Sequence, residues 1–103
     1  MRALPRFKIF QPGTMVTAGA TRRVHLLDLS AGGALVHAAE PPAPGSIVRL
    51  ELGERLGAAR VVWVHGRRFG VAFSAPLAPD RLDRIIADHA GLTRRMARVG
   101  TLR

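Results

Sequence analysis

Cysteine is missing from this chain, which excludes a disulfide scaffold and a thiolate metal centre. Tyrosine is missing too, and aromatics make up only 5% of the residues. Proteins that bind single-stranded nucleic acid stack bases on such rings, so that function is disfavoured. Acids are scarce: 7 against 16 basic residues, for a formal net charge of +9. No segment approaches the roughly 20 apolar residues that span a bilayer, so no membrane insertion is expected. Arg2, Arg6 and Lys8 interrupt the first ten residues, unlike a signal peptide, and the expected location is the cytoplasm. No P-loop of the form G-x-x-x-x-G-K-[S/T] occurs. Nor does a convergent acid, base and nucleophile set, so an enzyme is not expected.

What is present suits one folded domain. The chain has 103 residues, 48% of them apolar, enough for a modest core but not for a deep enclosed site. All but one of the basic residues are arginine, Lys8 being the lysine. The planar guanidinium fork suits phosphate, so an anionic partner is expected.

Periodicity divides the chain into short strands and one helix. Residues 7–10 (FKIF) read as a strand closed by Gln11-Pro12-Gly13, and 14–18 as a second strand-like piece. Residues 22–29 read as a strand, 30–33 as a glycine-containing turn, and 34–38 as the returning strand. The Pro/Gly segment 39–45 is a loop, and 46–52 alternates as a half-buried strand with Arg49 and Glu51 outward. Residues 58–64 and 68–73 form a hairpin about His65-Gly66-Arg67. Leu82, Ile85, Ile86 and His89 make a helical stripe, with Pro79, Asp80 and Asp83 suited to its first turn and Gly91 to its end. The spacing predicts a mainly β fold: a small six-stranded antiparallel barrel with a C-terminal α-helix. The expected domain is 1–91, with a basic arm over 1–6, the barrel over 7–74 and the helix over 78–91. A basic tail, 92–103, follows.

Two segments carry candidate chemistry. In D-L-S-A-G-G, strand alternation puts Asp28 and Ser30 on one face and Leu27 and Leu29 on the other, toward the core. Asp28 can accept bonds from a guanine N1–H and amino group, and Ser30 can donate or accept. Gly33 lets the backbone turn and a flat ligand come close. The plainer reading is that Asp28 and Ser30 bond local backbone in an Asx- or Ser-type turn. In R-A-L-P-R, Arg2 and Arg6 stand four apart, either to clamp phosphate or as a solvated terminus. The histidines His25, His37, His65 and His89 share no metal-ligand spacing. His25 and His37 are expected on strand surfaces, and Trp63 in the core or an interface rather than as a ligand platform, although an exposed face could stack a base.

In order along the chain stand Arg2-x-x-x-Arg6, Asp28-x-Ser30-x-x-Gly33, Pro41-Pro42-Ala43-Pro44-Gly45, Val61-Val62-Trp63 and Gly70-Val71-Ala72-Phe73. This ordered set resembles the PilZ family of cyclic di-GMP receptors, from residue 2 to about 90. The resemblance implies a non-catalytic module with no cofactor. Arg2 and Arg6 would bind phosphates and Hoogsteen edges, and Asp28, Ser30 and Gly33 would hold a guanine on a preformed turn. The arm would stay disordered until the nucleotide draws it across the barrel. It also implies a protein partner in motility, surface polysaccharide or biofilm control. Two alternatives stand beside it: a PilZ-type adaptor that binds no ligand, and a small-barrel nucleic-acid binder.

Overall fold

The computed structural model describes residues 6–89. Six strands occur in it: β1 (Phe7–Thr17), β2 (Ala20–Leu29), β3 (Gly33–His37), β4 (Ile47–Glu51), β5 (Arg55–His65) and β6 (Arg68–Phe73). A helix, α1, runs over 79–89. The strands close into an antiparallel barrel in the order β1-β2-β3-β6-β5-β4, so no edge stays open. The fold expected from periodicity is therefore the fold observed.

Residues 7–18 differ from expectation. The two predicted pieces are one strand, with Pro12 inside it opposite His25. β1 pairs with β4 only over Thr14–Val16, so at Pro12 one side of the strand has no ladder partner. The N–H that proline lacks is not needed there. The break in pattern marks a β-bulge between Lys8 and Gln11, where Phe10 takes a φ of 47°. The β1–β2 hairpin turns through Ala18 and Gly19, both at positive φ, as a type I′ turn requires.

A second bulge corrects the reading of β2. Leu26 faces Val36 but Asp28 faces Leu35, leaving Leu27 without an opposite residue. The alternation therefore skips a step: Val24, Leu26 and Leu29 are buried, while Leu27 is only half-buried. Leu29 enters the core as expected and Leu27 does not. Asp28 stays outside, because it precedes Leu29 on the far side of the bulge.

One core fills the barrel and continues under α1. Met15, Leu26, Leu50, Val61 and Phe69 are among its buried barrel residues; Leu77, Leu82 and Ile85 extend it beneath the helix. Ala78 C=O accepts the first helical bond, from Leu82 N–H at 2.9 Å. Glu54, in the β4–β5 turn, accepts from Arg81 Nε at 3.3 Å and Arg84 NH2 at 3.0 Å. Arg81 also donates to Arg55 C=O. No helix among the described residues is long and apolar enough to cross a membrane.

Candidate functional site

Register places one outer-face row across five strands. Lys8 pairs with Asp28, Asp28 with Leu35, Leu35 with Gly70, and Gly70 with Trp63. Over this row lies a cleft of about 240 Å³, lined by Arg6, Asp28, Ser30, Leu35, Trp63 and Gly70 among others. Arg6, Asp28, Ser30 and Gly33 therefore meet at one place. Arg2, Gly91 and the tail 92–103 lie outside the described residues.

Asp28 and Ser30 behave differently. Ser30 Oγ accepts from Gly33 N–H at 3.2 Å and lies 3.3 Å from Gly33 C=O, and Ser30 N–H donates to that same carbonyl at 2.9 Å. The hydroxyl thus serves the local turn, the plainer of its two readings. Asp28 makes no hydrogen bond or ion pair among the described residues. Its half-buried carboxylate faces the cleft with its acceptors unused.

The turn is held from both sides. Phe73 N–H donates to Gly32 C=O at 2.8 Å, and Leu77 N–H donates to Ala31 C=O at 2.8 Å. Both bonds come from the end of β6 and the lead-in to α1, so the turn is tied to the barrel and the helix alike. Gly33 is needed for a reason other than turning. It is the first residue of β3 and has no positive φ. A Cβ there would lie 2.1 Å from Val71 C=O, so only glycine lets β3 approach β6 this closely.

Trp63, which sequence reasoning left out of the candidate site residues, lines the cleft. It is 43% exposed and not in the core. A β5 bulge at Val62 leaves Val62 and Trp63 both outside. The indole lies against Gly70: a Cβ on that glycine would be 2.2 Å from Trp63 Nε1 and 2.6 Å from Cε2. The ring rests in the space where a side chain would be, and forms one wall of the cleft. The signal was available, since a two-residue loop at Gly66-Arg67 pairs Trp63 with Gly70.

The cleft thus combines a cation at Arg6, an unused carboxylate at Asp28, an apolar floor at Leu35 and an aromatic wall at Trp63. That set suits a flat, polar-edged ring carrying an anionic group. Among the described residues no cluster of His, Asp or Glu could hold a metal ion.

Among curated proteins none matches the chain. The solved structure of an uncharacterized Legionella protein is similar at 12% identity and a TM-score of 0.49, over 90% of this chain and 98% of that one. The family model of the PilZ domain matches residues 2–88. The chain, a closed six-stranded barrel with its arm and D-x-S-x-x-G turn in the family's order, belongs to the PilZ domain family, a family that binds cyclic di-GMP.

Proposed function

We propose that this domain is a cyclic di-GMP sensor. One guanine enters the cleft, where the Asp28 carboxylate accepts bonds from its N1–H and exocyclic amino group. Adenine has no N1–H and no amino group at C2; its C6 amino group offers one donor where guanine offers two adjacent ones, so the carboxylate favours guanine. Trp63 stacks on the base, Leu35 lies beneath it, and Arg6, joined by Arg2, takes a phosphate. Ser30 and Gly33 do not need to touch the ligand: they hold Asp28 and the turn in place. Binding fixes the N-terminal arm across the barrel, and a protein partner in motility, polysaccharide or biofilm control reads the fixed arm. No covalent chemistry is required, and the module is not an enzyme.

The observation that carries this reading is the Asp28 carboxylate, without a partner among the described residues, in a cleft walled by Trp63 and Arg6. Calorimetric titration of the whole chain with cyclic di-GMP tests it. Micromolar or tighter binding is expected, lost in Arg6→Ala and in Asp28→Ala. Absence of heat at high micromolar ligand overturns it in favour of an adaptor without a ligand.

A further inference from the structure

Beside the cleft runs a second outer-face row of different chemistry. His25 pairs with His37, His37 with Arg68, and Arg68 with His65, across β2, β3, β6 and β5. Val24, Leu26, Val36 and Phe69, their neighbours along three of these strands, are buried, so the row faces out. Neighbouring strands stand about 4.8 Å apart, so the row spans about 14 Å. Arg68 is two residues from Gly70 on β6, or about 7 Å from the cleft floor.

No acid lies in this row. Glu40, in the loop after β3, is held by Arg22 at 3.6 Å. The β5–β6 turn adds Arg67, and β1 presents Pro12, which is uncharged, opposite His25. The nearest carboxylate along β2 is Asp28, which faces the cleft; across from it stands Lys8.

Size makes the row relevant. Pockets that enclose a drug-sized ligand run to roughly 300–1,000 Å³. A cleft of about 240 Å³ therefore takes one base and its sugar, and a cyclic dinucleotide overhangs it. Such a ligand carries two phosphodiesters on opposite sides of its ring. With one toward Arg6, the other lies over the strands beyond the cleft.

We infer that His37, Arg68 and His65, with His25 at the row's end, form a second anion subsite that takes the phosphodiester remote from the arm. The inference rests on the cyclic di-GMP reading. Arg68 donates two parallel N–H bonds to the non-bridging oxygens. Each flanking imidazole adds an N–H donor.

The test is calorimetric titration of the wild type and its variants with cyclic di-GMP. Arg68→Gln is expected to weaken binding about tenfold, and His37→Ala with His65→Ala about threefold, with Trp63 emission of the free protein unchanged as the check on the fold. Arg49→Gln, on β4 away from the row, is expected to change affinity less than about twofold, which separates a subsite from general attraction. Binding that ignores Arg68→Gln overturns the subsite and leaves the sensor reading intact. An equal loss in Arg49→Gln and Arg68→Gln also overturns it. Absence of binding by the wild type overturns the sensor reading and the subsite together.

Discussion

Gly70→Ala separates the cleft from the fold. The new methyl would meet Trp63 Nε1 at 2.2 Å, Cε2 at 2.6 Å and Cδ1 at 3.0 Å. Ordinary contact needs about 3.5 Å, so the indole must move by more than about 1 Å. It is free to do so, because Trp63 is 43% exposed and the three atoms nearest the new methyl all belong to its side chain. Swinging out uncovers roughly 50 Å² of ring, a loss of about 1 kcal/mol at 25 cal/mol per Å². Removing a glycine from a strand offsets roughly half of that. The net effect is a fall of only a few degrees in Tm. The ligand suffers more. Stacking contributes about 1–3 kcal/mol per base, so affinity for cyclic di-GMP falls about tenfold or more. Because Trp63 is the single tryptophan, its emission reports the movement directly and should shift to the red. A double-mutant cycle closes the argument. In a Trp63→Ala background, Gly70→Ala should have almost no further effect on affinity. If it costs as much there as in the wild type, or if emission and affinity do not change, the contact between ring and glycine is not what shapes the cleft.

Three further outcomes follow from the geometry. Gly33→Ala drives a Cβ to 2.1 Å from Val71 C=O; backbone cannot step aside as an indole can, so the loss should exceed about 2 kcal/mol by chemical denaturation. An ordinary strand glycine's loss of under 1 kcal/mol would contradict the close β3–β6 approach. Ala18→Asn should stabilise by about 0.5–1 kcal/mol, since Ala18 sits at a φ of 42° that asparagine tolerates better; a lower Tm would speak against a type I′ turn. Glu54→Gln weakens the link to Arg81 and Arg84 and should cost about 0.5–1 kcal/mol at low salt and less at high salt. A salt-independent loss would mean that charge is not what Glu54 contributes.

Much of this fold was legible in the sequence because alternation and helical periodicity survive in most segments. Val48 and Leu50 inward with Arg49 and Glu51 outward, and Leu82 and Ile85 down on the core, are found as the pattern predicts. The bulges hid the rest. Leu26, Leu27 and Leu29 are all apolar, so residue type does not reveal that alternation skips at Leu27. Pro12 read as a stop because its tolerance depends on where β4 ends, a tertiary fact. In the candidate site, Asp28 and Ser30 were found on one face but not told apart: the Ser30–Gly33 bonds exist only once the turn closes. Trp63 was assigned to the core or an interface on residue type; its pairing with Gly70 follows from a two-residue loop at Gly66-Arg67, where a three-residue turn was expected. Arg6 lines the cleft, the place that the family resemblance implied for it, while Arg2 lies outside the described residues.

The account turns on guanine recognition by Asp28 within this cleft. Calorimetric titration of the whole chain with cyclic di-GMP, cyclic di-AMP and GTP, repeated on Asp28→Ala, tests it most directly. Micromolar or tighter binding of cyclic di-GMP is expected, with cyclic di-AMP at least about tenfold weaker and cyclic di-GMP binding lost in Asp28→Ala. Equal affinity for all three nucleotides, or cyclic di-GMP binding that survives Asp28→Ala, would reduce the cleft to a general anion site and contradict the account.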